Sequence, residues 1–156
     1  MHKKNRRGRS AAINMVLTST GAGKAVSKVI PKLKHKLTAN AVRVPTPNVS
    51  LAIMNLQLGR DITIEELNDF LRQKAFHSDL KEQIGFTNSP EVVSTDFVGD
   101  RHAGIIDSAA TIVNGDKCVL YVWYDNEYGY TAQLLGLAKE MVGLTYQRYP
   151  NFSETS

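Results

Sequence analysis

"AGIIDSAATIVNGDKCVLYVWY", residues 103–124, decides the class of fold. "AGIIDSAATIV" and "KCVLYVWY" are rich in β-branched and aromatic residues and bounded by turn formers, which is the pattern of strands. Asn114-Gly115 between them predicts a hairpin turn, because both residue types tolerate the positive φ that tight hairpins need. Strands joined so closely run antiparallel. Upstream, "EVVSTDF" (91–97) predicts another strand. "NAVRVPTPNVSLAIMNLQLGR" (40–60) predicts two more, over 40–45 and 48–58, separated by Pro45 and Pro47. The second is almost continuously apolar, as a buried strand is.

Helical patterns fall between the strands. Residues 20–30 predict a helix with Thr20 as N-cap and Ala25, Val26, Val29, Ile30 and Leu33 as the apolar run; Pro31 stops it. "TIEELNDFLRQKA" (63–75) opens on Thr63 and Glu66, a capping-box pair, and carries an apolar stripe of Ile64, Leu67, Phe70, Leu71 and Ala75. Residues 127–143 predict a last helix, with Leu134, Leu135, Leu137, Ala138 and Met141 as its buried side. Strict β-α-β alternation is missing. The expected fold is therefore α+β, a mixed, largely antiparallel sheet covered by helices.

The bulk properties narrow the function classes. At 156 residues the chain can bury a core, and its 42% hydrophobic content is ordinary for a globular protein. No apolar run is long enough to span a bilayer, and no signal-type h-region follows the basic start. One Cys excludes an internal disulfide framework and fits a reducing cytoplasm. The formal charge is +4, but Lys3, Lys4, Arg6, Arg7 and Arg9 crowd into "HKKNRRGR"; without those five the remainder is −1. The basic character is thus local. It reads as a solvated or interface loop over 1–12 more readily than as a nucleic-acid arm, because no interleaved aromatics accompany it. Residues 144–156 read as a polar tail.

Several stretches invite a chemical reading. "TSTGAGKAVSKVIP" (18–31) is like a nucleotide P-loop, yet Thr18 stands where that pattern requires Gly, and Ala25 where it requires a Mg²⁺-binding hydroxyl. The nucleotide reading fails; a helix start with free N–H groups remains, and any such start suits an anion. Arg43 sits within the apolar "AVRVP", where a cation is costly unless it meets a carboxylate or phosphate. His2, His35, His77 and His102 lack metal-ligand spacing. Cys118 reads as a buried, inert thiol, since Lys117 points to the opposite face. Asp96, Asp100 and Asp107 suit either acid–base chemistry or a polar loop, and Asp125 or Asn126 suits a cap of the last helix.

Taken in order, "RRGRSAAINMVLTSTGAGKAVSKVIP", "KLTANAVRVPTPNVSLAIMNLQL", "EVVSTDFVGDRHAGIIDSAAT" and "YVWYDNEYGY" resemble the catalytic domain of phosphorylating glyceraldehyde-3-phosphate dehydrogenase, over about residues 5–142. The basic start is similar to a longer bacterial form. The resemblance implies that Thr20 and Gly21 bind inorganic phosphate or the acyl product's phosphate, and that Arg43 reaches a substrate phosphate. It implies that Asn126 hydrogen-bonds the nicotinamide carboxamide of NAD and that Tyr130 lies near the ring. Glyceraldehyde 3-phosphate and inorganic phosphate are the implied substrates, a homotetramer the implied assembly, glycolysis the setting, and the cytoplasm the implied place.

The departures shape the expectation. The family's nucleophile lies in an S-C-T-T-N stretch and its base in a T-H-A-T-T-like stretch, and neither occurs here. The chain therefore reads as a C-terminal fragment of the catalytic domain, over 1–143, without the catalytic Cys, the catalytic His or the NAD-binding domain. Gly23 stands where Ala is usual, and Tyr128 where Phe or Trp is usual. The choice between NAD and NADP stays open, because the ribose-reading residue belongs to the other domain. A non-enzymatic binding or interaction module built on the same domain is the alternative.

Overall fold

A computed structural model describes residues 13–144, which fall into two units, Met1–Pro47 and Asn48–Ser156. The loop expected over 1–12 and all of the expected tail except Leu144 lie outside the described residues.

In the first unit, β1 (Val16–Ser19) pairs antiparallel with β2 (Asn40–Arg43), from Val16 opposite Arg43 to Ser19 opposite Asn40. Between them runs α1 (Ala22–Val29), followed by a 3₁₀ turn at Pro31–Leu33. β1 was not legible beforehand, because four residues give no readable period. The helix begins two residues later than the sequence suggests. Gly21 is its N-cap, and the Thr20 hydroxyl accepts from the Ala22 N–H at 3.2 Å. Thr20 thus closes a local turn in front of the helix. The expected apolar run of α1 is not buried; Val26, Val29 and Ile30 are exposed. A two-stranded ladder is too narrow to cover a helix face by itself.

The second unit is built on β7 (Lys117–Tyr124). β3 (Ser50–Gln57) pairs antiparallel along one side of it, while β5 (Gly104–Asp107) and β6 (Ile112–Asn114) pair antiparallel along the other. β4 (Ile84–Thr87) adds to β5 in parallel, giving the strand order β3-β7-β5-β4 and the mixed, mostly antiparallel sheet expected. α2 (Ile64–His77) and α3 (Tyr128–Met141) complete the unit. The hairpin turn is displaced by one residue: Asn114 and Lys117 pair, so Gly115 and Asp116 form the loop, with Gly115 at φ +61°.

Side-chain alternation along β7 gives the sheet two clusters. Cys118 and Leu120 pack with Leu67 of α2, and Trp123 on the opposite face joins Phe97, Val49 and Ile105. The Phe97 and Trp123 rings stack at 5.5 Å. α2 starts as expected, with the Thr63 hydroxyl accepting from the Glu66 N–H at 3.2 Å. The reciprocal half of the capping box is absent, because the Glu66 carboxylate pairs with Arg60. Its buried stripe is narrower than expected: Leu67 and Ala75 are covered, Ile64 and Phe70 are not.

Three further expectations need correction. "EVVSTDF" is not a strand but a 3₁₀ turn at Ser94–Phe97, because the Asp96 carboxylate takes the Val93 N–H at 2.7 Å and locks the backbone locally. β3 is apolar but exposed, since it lies at the sheet edge. Leu134, Leu135, Leu137 and Met141 of α3 are exposed too; the buried residue of that helix is Gly129.

Candidate functional site

In the first unit the residues named for phosphate lie on the ladder and the helix it feeds. β1 ends at Ser19, Thr20 and Gly21 turn the chain, and α1 departs with Ala25 N–H bonded to Gly21 O at 3.0 Å. The first-turn amides of Gly23 and Lys24 have no acceptor among the described residues, and they carry the positive end of the helix dipole. Arg43 closes β2. It is exposed and not buried in an apolar strand, so desolvation does not force a partner on it, and no ion pair among the described residues holds it. The register puts Arg43 beside Val16, at the far end of the ladder from Thr20. Four residues of strand separate them, roughly 13 Å of backbone.

In the second unit, Asn126 and Tyr130 lie at the junction of β7 and α3, and Asp125 organises it. Asp125 is 2% exposed, and its carboxylate accepts four hydrogen bonds: from the Asn48 amide at 3.0 Å, Gly99 N–H at 2.9 Å, Glu127 N–H at 3.0 Å and Tyr128 N–H at 2.9 Å. Asp125, not Asn126, therefore caps the last helix. The Gly99 amide, then that of Tyr128, holds its carboxyl below the usual carboxylate range, against the opposing effect of burial. Asn126 is exposed, and its side-chain oxygen accepts from the Ser50 hydroxyl at 3.3 Å. Between Asn48 and Ser50, buried Val49 adopts φ +70°, a left-handed conformation costly for a β-branched residue. That kink brings Asn48 and Ser50 onto adjacent residues of the turn. Tyr130 is 70% exposed on the first turns of α3.

Two shallow depressions flank α3. One of about 360 Å³ is lined by Asn48, Gly99, Asp125 and Tyr128, and one of about 370 Å³ by Arg101, Tyr128, Leu135 and Lys139. Neither is lined by Asn126 or Tyr130. The remaining carboxylates of the region are structural. Asp107 accepts the Trp123 indole N–H at 3.0 Å, and Asp100 engages both the backbone and Nδ1 of His102, at 2.8 and 2.7 Å. Cys118 is 3% exposed, and burial pushes its thiol up. No cluster of His, Cys, Asp or Glu among the described residues suits a metal ion.

Asp125 makes stability depend on pH in a stated direction. A carboxyl whose pKa is lowered by folding gives its full contribution above the unfolded value, about 4. The contribution is lost as pH falls from there through the folded pKa. Denaturation midpoints should drop on acidification across that window, and the drop should shrink in Asp125→Asn. An acid slope identical in both proteins would remove Asp125 as its source.

The sequence alone did not reveal Asn48, Gly99 or Ser50 as supports of the turn. Asn48 and Gly99 lie 77 and 26 residues from Asp125, beyond any local pattern.

Comparison with known proteins gives a consistent result. The sequence profile of "Glyceraldehyde 3-phosphate dehydrogenase, C-terminal domain" matches residues 1–126, ending on Asn126 and short of Tyr130. A glyceraldehyde-3-phosphate dehydrogenase-like protein of Pseudomonas aeruginosa (strain UCBPP-PA14) is 58% identical over 149 residues, covering 96% of this chain and 32% of that protein. Glyceraldehyde-3-phosphate dehydrogenase 2 of Mucor circinelloides f. lusitanicus is 49% identical, covering 85% of this chain and 39% of its own length. Glyceraldehyde-3-phosphate dehydrogenase 1 of Bacillus subtilis (strain 168) is 46% identical, covering 88% and 41%. The chain thus spans about a third to two-fifths of the length of these relatives.

Proposed function

The chain belongs to the glyceraldehyde 3-phosphate dehydrogenase C-terminal domain family, and we propose from this that it carries the anion-binding and nicotinamide-contacting parts of that oxidoreductase without its reacting groups. Thr20, Gly21 and the open amides of α1 receive inorganic phosphate. Arg43 receives the phosphate of glyceraldehyde 3-phosphate or shares the same anion, its long side chain reaching along the ladder. Asn126, whose side-chain oxygen is engaged by Ser50, donates its amide N–H to the nicotinamide carboxamide of NAD, and Tyr130 flanks the ring. The reaction served is the NAD-linked oxidation and phosphorylation of glyceraldehyde 3-phosphate, in a cytoplasmic homotetramer. The nucleophile, the base and the dinucleotide domain come from sequence that this chain does not contain.

The observation that carries the proposal is a helix start with unfilled amides, in one unit with an Arg that no carboxylate among the described residues holds. Titrating the ¹⁵N-labelled chain with inorganic phosphate tests it. Shifts should concentrate on the amides of Gly21, Gly23 and Lys24 and on the Arg43 side chain. Arg43→Ala should weaken binding by about tenfold to a hundredfold, the effect of losing a charge-assisted hydrogen bond of about 1.5–3 kcal/mol. Shifts that spread over lysine side chains and survive Arg43→Ala would mean non-specific anion attraction.

A further inference from the structure

The start of β3 grips two successive residues of the β7–α3 turn, and the two grips differ in kind. Asn48 reaches the Asp125 carboxylate at 3.0 Å, within the buried set of bonds that also caps α3. Ser50 reaches the Asn126 side-chain oxygen at 3.3 Å, in the open. The first bond serves the fold, because a buried carboxylate stripped of its partners is costly. The second does not. Water replaces either partner of an exposed hydrogen bond, so its net contribution to stability is small. Its effect is to restrict the Asn126 side chain, which lies exposed on the turn and has no other hydrogen-bond partner among the described residues.

Ser50 is itself fixed. It begins β3 opposite Tyr124, and the residue before it, Val49, is buried against Phe97 and Ile105. Asn126 follows Tyr124 by two residues, so the β3–β7 register brings hydroxyl and amide together. We infer that Ser50 is a positioning residue: it holds the Asn126 side chain in the rotamer from which its amide meets the nicotinamide carboxamide. The inference rests on the nicotinamide role proposed for Asn126. A side chain ordered before the ligand arrives need not be ordered by it, a gain of about twofold to tenfold in affinity for one side chain.

Spectra of the ¹⁵N-labelled whole chain test this, with nicotinamide mononucleotide as the probe. In the unchanged chain the Asn126 side-chain amide should be less mobile on the picosecond–nanosecond timescale than that of Asn114, an exposed Asn with no side-chain hydrogen bond among the described residues. Ser50→Ala should bring Asn126 to the mobility of Asn114 and weaken binding of the probe by about twofold to tenfold. The denaturation midpoint should stay in place, and so should the backbone amides of Glu127 and Tyr128, which report the Asp125 cap. Ser50→Thr keeps a hydroxyl and should restore both order and affinity. An Asn126 amide as ordered in Ser50→Ala as in the unchanged chain overturns the inference. So does a freed Asn126 with undiminished affinity for the probe. Equal mobility of Asn126 and Asn114 in the unchanged chain overturns it too, and that comparison needs no variant. A probe that leaves Asn126 unmoved in the unchanged chain, while Ser50→Ala frees the side chain, would sink the nicotinamide role alone and support the hold of Ser50 on Asn126.

Discussion

Supplied with glyceraldehyde 3-phosphate, NAD and inorganic phosphate, the purified chain is expected to form no NADH. The chemistry proposed for the family needs a thiolate to add to the aldehyde and a base to take its proton. The single thiol, Cys118, faces Leu67 and Leu120 in the sheet-helix cluster. Reactive thiols have a cation or a helix N-terminus beside them to favour the anion. Here burial acts the other way, and Lys117 lies exposed on the opposite face of β7. Removing a nucleophile from an enzyme commonly costs on the order of a millionfold in rate. The cofactor should bind poorly as well. Asn126 and Tyr130 would touch only its nicotinamide end, and losing about 4 kcal/mol of other contacts is roughly a thousandfold in affinity. An NADH assay before and after iodoacetamide treatment checks both parts. Cys118 should resist alkylation until the chain unfolds. Turnover that alkylation abolished would make Cys118 a nucleophile and reverse the functional reading.

The split between what the sequence revealed and what it hid follows the range of the interactions. Thr63 was legible as a cap because its partner, the Glu66 amide, is three residues away. The hairpin into β7 was legible to within one residue for the same reason. β3 and α3 were read correctly as a strand and a helix, and incorrectly as buried. Periodicity reports which side chains need cover, and only neighbours from distant sequence determine whether they have it. "EVVSTDF" has strand composition, but a single Asp96 side chain satisfies the Val93 amide and removes it from any ladder. Asn126 was named through motif resemblance, whereas the Asp125 bonds to Asn48 and Gly99 that fix its turn needed coordinates. The residues proposed for phosphate and those proposed for nicotinamide lie in two separate units, so the register β1–β2 bears on one set and the β7–α3 turn on the other.

Two glycines of α3 should respond to alanine with opposite signs. In an exposed helix interior, Gly→Ala stabilises by about 0.5–1 kcal/mol, because glycine has more backbone entropy to lose. Gly136 fits that case: a Cβ there meets nothing within 4 Å. Gly129 does not. A Cβ on Gly129 would lie 2.6 Å from the backbone oxygen of His102 and 3.5 Å from that of Asp100. Backbone atoms cannot swing aside as a side-chain tip does, so either the 100–102 loop or the start of α3 must move. Overpacking of this kind costs about 1–3 kcal/mol, and a rigid carbonyl favours the upper end. That is a large share of the roughly 5–15 kcal/mol that holds a domain folded. The movement also has a local consequence. Gly129 N–H bonds to Asp125 O at 3.0 Å, and the same turn carries the Asp125 carboxylate bonds and Asn126. Displacing α3 should therefore loosen Asn126 from Ser50, visible as a shifted and broadened Asn126 side-chain amide in ¹⁵N spectra. Gly136→Ala should leave that signal in place and raise the denaturation midpoint. If Gly129→Ala is also stabilising, the close approach of α3 to residues 100–102 is wrong, and with it the account of how the β7–α3 turn holds Asn126.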